Sequence, residues 1–420
     1  MARSLPPSTE EKPLDAKKLV LAYAALVLAS LVLALGLSGC QAVPPDDPSR
    51  PSGRTLYVSS SNGCGGERPC YTALQDALDA AGAGDVIKVA GGVYVSSSDQ
   101  VIKIDQSVHL IGGYPPEDWT QPDSEAYSVI VDAEQIPGRR AVVVEGSEGM
   151  AVTLEGLRIM RGGVEVERGG CVYVGGGSVV LAGSVIEDCR ADARGGGVFV
   201  RDGSVRLTGN VFRGNAAQYG GALYVEGGSV TLERNQVFSS EAPPLGGAIG
   251  ISGGAVTGFN NVVAENALAG AGVYLSGGTL EASHWTLVDN GRYGVIVDLG
   301  IEIDSGSATV HDSIVASHQA GFCGSGAVGR QTLFHDVVNP CIAGASCVNN
   351  LFGDPKFRNP FASDYHITTG SAAVDRAYSV DVAEDVDEGR RPVGAAPDLG
   401  ADELEPHMVY LPMVARGVGR

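Results

Sequence analysis

Gly196-Gly197-Val198-Phe199-Val200-Arg201-Asp202-Gly203-Ser204-Val205-Arg206-Leu207-Thr208-Gly209-Asn210-Val211-Phe212-Arg213-Gly214-Asn215 is one copy of a unit that recurs along this chain. Equivalent openings stand at Gly170-Cys171-Val172-Tyr173-Val174, Ala222-Leu223-Tyr224-Val225, Ala248-Ile249-Gly250-Ile251 and Gly272-Val273-Tyr274-Leu275. The anchors Val174, Val200, Val225, Ile251 and Leu275 lie 26, 25, 26 and 24 residues apart by subtraction. A second column, Val179, Val205, Val230, Val256 and Leu280, keeps that spacing; a third, Cys189, Asn215, Glu241, Asn266 and Asn290, nearly keeps it.

Within a unit, Val198 and Val200 alternate with Phe199 and Arg201, and Val205 and Leu207 with Arg206 and Thr208. A period of two sends one set inward and the other outward. Units stacked in register place like above like, about 4.8 Å apart. The inward columns then form a continuous dry core that no single unit could bury alone. About 25 residues and three short strands per turn predict an all-β fold, a parallel β-helix. A leucine-rich horseshoe needs Leu at close fixed offsets, and a propeller blade is longer. The Gly pairs free the backbone at each corner. Asn215, Asn266 and Asn290 are expected to bond from coil to coil, with Cys189 and Glu241 interrupting that ladder.

Upstream, Thr55 to Ser59 reads as a strand, and Thr72-Ala-Leu-Gln75 as a capping box with Thr72 as N-cap. Leu74, Ala77, Leu78 and Ala81 share one helical face. A short lid helix would cover the open end of the coil stack. Short apolar strands follow (101–104, 108–111, 129–131, 141–144, 152–154), with a Pro-rich insertion over 115–140.

This opening resembles the N-terminal cap of the pectate-lyase-like right-handed β-helix superfamily. The resemblance implies a single-stranded right-handed parallel β-helix, a solenoid with a short N-terminal capping helix. Phe212-Arg-Gly-Asn215 and Gly220-Gly-Ala-Leu223 resemble the paired repeats of polymorphic outer membrane proteins and related autotransporter passengers, over about 170–290. Later the pattern changes to Asp354-Pro-Lys-Phe357, Asp364-Tyr-His-Ile367, Gly370-Ser-Ala-Ala-Val-Asp375, Arg391-Pro-Val-Gly394 and Asp398-Leu-Gly-Ala-Asp-Glu403. That order resembles the choice-of-anchor Q domain at the end of bacterial surface β-helix proteins, except that Ala372 stands where proline is usual. It implies a closing region of an exported protein, with no established chemistry.

Apolar residues make up 44% of the chain, enough for a core, and Gly, 60 of 420 residues, exceeds the usual share of roughly 7% without a collagen triplet. The formal charge of −20 argues against nucleic acid or an anionic membrane surface as a partner. Lys17-Lys18, an apolar run from Leu19 to Leu37 and Leu37-Ser38-Gly39-Cys40 describe an export signal. Leu-Ser-Gly-Cys resembles the lipobox of bacterial lipoproteins, which implies lipidation of Cys40 and a membrane partner through that N-terminal lipid. An uncleaved transmembrane helix is the alternative. The expected organisation is a signal (1–40), a Pro-, Asp- and Ser-rich tether (41–54), the β-helix with its cap (55–300), irregular last coils (301–349), the C-terminal module (350–405) and a tail (406–420), in a monomer at the cell surface.

Of eight cysteines, Cys64 and Cys70 lie close enough in a Gly-rich loop to pair, although connectivity does not follow from sequence. If Cys40 is lipidated, seven remain and at least one thiol stays unpaired within the monomer. No P-loop, HExxH or GxSxG pattern occurs, and the seven histidines lack ligand spacing. No catalytic residue and no cofactor are assigned. Asp381, Glu384, Asp385, Asp387 and Glu388 could attract Ca2+, but the EF-hand ligand order is absent and a solvated loop is the simpler reading. Tyr173, Phe199, Tyr224 and Tyr274 form an outward aromatic column, interrupted by Gly250. Exposed rings at coil spacing would stack on an extracellular polysaccharide; covering loops, or rings that only stiffen the sheet, are the alternatives. A non-catalytic adhesion or glycan-binding surface protein, a polysaccharide lyase or glycoside hydrolase of the same fold, and a structural spacer are the three functional expectations.

Overall fold

The structure, a computed structural model, describes residues 53–404 except 62, 164, 243–245, 267–269, 292–297 and 380–381. The signal with Cys40, nearly all of the tether, and the 406–420 tail lie outside the described residues.

Alternating apolar residues build three parallel sheets, and each turn of the chain contributes a strand to each. The first contains Gln100–Ile104, Arg140–Val144, Val172–Val174, Val198–Val200, Leu223–Val225 and Gly247–Ile251. The second contains Ala151–Glu155, Ser178–Ala182, Ser204–Thr208, Ser229–Glu233 and Ala255–Phe259. The third contains Leu157–Met160, Val185–Glu187, Val211–Arg213, Gln236–Phe238 and Val262–Ala264.

Registers follow the sequence columns. Val200 pairs with Val225 and with Val174, and Ile251 with Leu275. Val179, Val205, Val230, Val256 and Leu280 are successive partners. Inward residues of all three sheets are at most a few per cent exposed and form one core. Each fully buried aliphatic side chain is worth about 1.5–3 kcal/mol, so the repeated columns are the main source of stability.

Tight corners require glycine: Gly195 has φ +65°, and a Cβ on Gly196 would meet the Ala216 carbonyl oxygen at 2.4 Å.

The amide ladder differs from expectation at two positions. Asn215 Oδ1 accepts the Cys189 N–H (3.1 Å), Asn266 Oδ1 accepts the Ser240 N–H (2.9 Å), and Asn290 Oδ1 accepts from Asn266 Nδ2 (2.7 Å). Ser240, not Glu241, therefore occupies the column, because its spacing matches the neighbouring columns. Cys189 does not break the ladder; its N–H joins it, while its sulfur bonds Cys171. A second ladder, at another corner, links Asn210, Asn235 and Asn261 through 3.1 Å amide contacts.

The lid helix spans Leu74–Ala80 and buries Leu74, Ala77 and Leu78. The capping box does not form: Ala73 is the N-cap and no side chain caps it. Gln75 instead accepts the Lys103 N–H (2.7 Å) and donates to its carbonyl (3.2 Å), which satisfies the exposed edge of the first sheet. That pairing outcompetes a local cap.

Past residue 300 the coils continue. Glu302 pairs with Tyr274, then with Cys323, and Cys323 with Ile342. These steps are 28, 21 and 19 residues by subtraction, so the period shortens while the stack persists. The C-terminal module begins with an antiparallel pair, Phe357–Asn359 with Asp364–Ile367. It lies on the outside of the third sheet, where Tyr365, Ile367, Leu399 and Ala401 cover Phe238, Val262, Val288, Ile314 and Leu333.

Candidate functional site

Outward residues of the first sheet line up as Lys103, Val143, Tyr173, Phe199, Tyr224, Gly250, Tyr274, Glu302 and Cys323. Parallel register brings three rings together. Tyr173 and Phe199 stack at 5.5 Å between centroids, and Phe199 and Tyr224 at 6.0 Å. Tyr274 stands beyond Gly250; Tyr219 fills the gap, 6.1 Å from the Tyr274 ring.

These rings point outward but are not bare, which corrects the expectation of an exposed strip. Phe199 is 0% exposed and Tyr224 3%. Their cover is a ladder of guanidinium groups: Arg140 lies 5.3 Å over Tyr173, Arg168 5.6 Å over Phe199 and Arg194 5.3 Å over Tyr224. Cation–π contacts of partly exposed guanidinium groups like these are worth about 0.5–1 kcal/mol each. Sequence reasoning missed these arginines, yet a signal existed. Arg168, Arg194 and Tyr219 each precede the ring of their own turn by five residues, and they pair as a backbone column.

The guanidinium ladder borders a cleft of about 330 Å3 lined by Arg140, Val143, Glu145, Glu167, Arg168 and Tyr173. Arg140 donates to the Arg168 carbonyl (3.0 Å), and burial pulls it below the ordinary guanidinium value. Glu226 takes Arg168 (3.0 Å) and Arg194 (3.6 Å). About a third of Arg168, Arg194 and Glu226 remains exposed. Arg140 spends Nε and Nη2 on the Arg168 carbonyl, so it is Arg168 and Arg194 that can meet a carboxylate or sulfate, and the glutamates can accept sugar hydroxyls.

Farther along, the same stripe turns acidic. Tyr274 donates to Asp304 (2.6 Å), and burial together with Asp304 pushes the Glu302 carboxyl upward. Cys323 is a free thiol that burial, Glu302 and Asp304 hold above its ordinary value. It is therefore a poor nucleophile.

The other sequence candidates fall elsewhere. Cys64 and Cys70 form a disulfide. The acidic run is divided among partners: Glu384 and Glu388 face Arg234 at 3.0 and 3.7 Å, and Asp385 accepts backbone N–H groups. Asp381 lies outside the described residues. Asp387 meets His366 in the C-terminal module.

Residues 140–307 match a family described as right-handed beta helix region. No curated protein matches the sequence. Among solved structures, the pectate lyase Pel9A superposes with a TM-score of 0.51 at 14% identity, over 84% of this chain and 97% of that one. At that identity the likeness is one of fold. The protein is an all-β, right-handed parallel β-helix of the pectate-lyase-like fold.

Proposed function

We propose that this protein is an exported, lipid-anchored β-helix of the cell surface that binds an acidic polysaccharide along the outer face of its first sheet. The observation that carries this reading is the ladder of Arg140, Arg168 and Arg194 over the stacked rings. Ring faces are already occupied, so recognition passes to guanidinium forks at coil spacing. A chain of uronate or sulfated sugars offers carboxylates or sulfates to those forks and hydroxyls to Glu145 and Glu167. The overall charge of −20 opposes a polyanion at long range. Binding is therefore short-ranged, confined to the stripe where arginines cluster.

The test is calorimetric titration with polygalacturonate, alginate and neutral dextran. Binding to the two polyuronates, none to dextran, and at least a tenfold loss in an Arg168→Ala/Arg194→Ala double variant is the expected pattern. Equal binding to dextran, or indifference to the double variant, overturns the reading. A lyase is the second reading, favoured by the carboxylates Glu145 and Glu167 beside Arg140 and Arg168 in the cleft. Release of unsaturated uronides from polygalacturonate would establish it in place of simple binding.

A further inference from the structure

We propose that His366, Asp387 and Asp402 form a binding site for one divalent transition-metal ion of the Zn2+ type. Their donor atoms lie within 4.8 Å of one another, the spread that ligands around one ion span at bond lengths of about 2.0–2.4 Å. They come from three separate stretches: the strand Asp364–Ile367, the 385–389 loop and the 398–404 segment.

The hydrogen bonding of the imidazole carries the argument. His366 is fully buried, and its Nδ1 sits 2.6 Å from Asp364 Oδ1. A carboxylate there holds the proton on Nδ1 and leaves the Nε2 lone pair outward, the arrangement that orients histidine ligands in metal sites. That lone pair is in direct contact with Asp387 Oδ2, itself an acceptor. Two acceptors in contact share a proton, which an incoming metal ion would displace as the two ligand atoms part to coordinate it. A shared proton would serve this pair alone. It would leave Asp402 Oδ1 without a partner, although Asp402 is only 2% exposed. An ion serves all three donors at once.

The surroundings fit. Asp385 is committed to the N–H groups of Asp387, Gly389 and Glu403, so it shapes the loop rather than ligating. Arg391 donates to the Asp398 and Gly400 carbonyls and stands 3.5 Å from Glu403; its charge is felt by Asp385 and Asp402, but it makes no hydrogen bond to Asp402 Oδ1. Asp387 is 43% exposed, which leaves a solvent-facing position for a water ligand. One imidazole and two carboxylates suit Zn2+ or Mn2+; Ca2+ wants six to eight oxygens. Bound there, the ion would tie together three segments of the module that covers the third sheet.

The test uses the full chain carrying Cys40→Ser and Cys323→Ser, which removes both cysteines outside the three disulfides as adventitious ligands. After chelation and dialysis, Zn2+, Mn2+, Ca2+ and Mg2+ are titrated by calorimetry and thermal melting is followed. One equivalent of Zn2+ or Mn2+ bound, with a raised melting temperature, is expected. Asp387→Ala, at a half-exposed position, should weaken binding at least tenfold while its far-ultraviolet circular dichroism stays that of the parent. Metal-edge absorption spectroscopy should report one imidazole nitrogen among oxygen ligands. Binding of Ca2+ alone, no stoichiometric binding, or affinity unchanged in Asp387→Ala overturns the proposal.

Discussion

Gly250 is where one missing methyl group decides the packing of a column. A Cβ there would stand 2.6 Å from Tyr224 Cδ2, because the tyrosine ring leans over the next turn. Gly250→Ala should therefore cost about 1–3 kcal/mol by overpacking, read as a lower urea midpoint, with Tyr224→Ala in the same chain relieving it. The buried amides work in the opposite sense, by filling every bond. Asn235 accepts the Asn210 N–H (3.1 Å) and donates to the Leu207 carbonyl (2.7 Å). Asn235→Ala would orphan both, and at ~1–3 kcal/mol per buried unsatisfied group it should be among the most damaging single changes. At the end of the other ladder, His318 Nε2 accepts the Asn290 N–H (3.2 Å). Burial lowers its pKa to about 3 and keeps it neutral. Unfolded, it would titrate near about 6.5. Below that pH the unfolded chain takes up a proton that the folded one refuses. The stability is intact above about pH 6.5 and falls by up to ~1.4 kcal/mol per pH unit toward pH 3. His318→Asn keeps an acceptor in the ladder, so its unfolding midpoint should drop less than that of the parent between pH 7 and pH 4.5.

At the scale of elements, the disulfides allow a comparison of loop closure. Cys171–Cys189 spans 18 residues and Cys64–Cys70 spans 6. Loop-closure entropy predicts about 3 kcal/mol for the first and about 2 for the second. Paired Cys→Ser variants should thus differ by ~1 kcal/mol in denaturant titrations, with the larger loss at Cys171–Cys189. The strands themselves were legible in the sequence because a stack of equal turns writes its inward columns at a constant interval. That signal fades after 300, where steps of 28, 21 and 19 residues replace it although the coils go on. The ring column was legible for the same reason, and its cover was not. Arg168 and Arg194 come from corners, where no alternation constrains the side chain, and each reaches the ring of the following turn. The failed capping box at Thr72 has a similar cause, since Gln75 found a partner 28 residues away. His366 and Asp402, 36 residues apart by subtraction, meet only through tertiary folding, so no ligand spacing announced them.

For the molecule as a whole, the C-terminal module decides whether the third sheet can face water. In its early turns the outward residues of that sheet are Arg158, Glu187 and Arg213, joined by ion pairs. From Phe238 onward they become Val262, Ala264, Val288, Ile314 and Leu333, none more than 6% exposed. The change from charged to apolar marks the stretch that the module covers. Its attachment is polar as well: Tyr365 donates to Glu265 (2.8 Å), the Tyr378 N–H to Asp312 (2.8 Å) and the Ala401 N–H to Thr286 (3.0 Å). A chain ended after Phe352 should keep its coils, since these close through their own core, but it would present a continuous apolar strip across several turns. Strips of that kind drive association. Sedimentation of the truncated chain at micromolar concentration should reveal larger species than the parent forms under the same conditions. A milder test is Leu399→Asp, which puts a charge at a fully buried contact of the module. It should loosen the module and speed its proteolytic removal while the circular dichroism of the coils is unchanged. A truncated chain that forms no larger species than the parent would mean that the strip closes on itself, and the module would then have to be explained by its ligands rather than by the surface it hides.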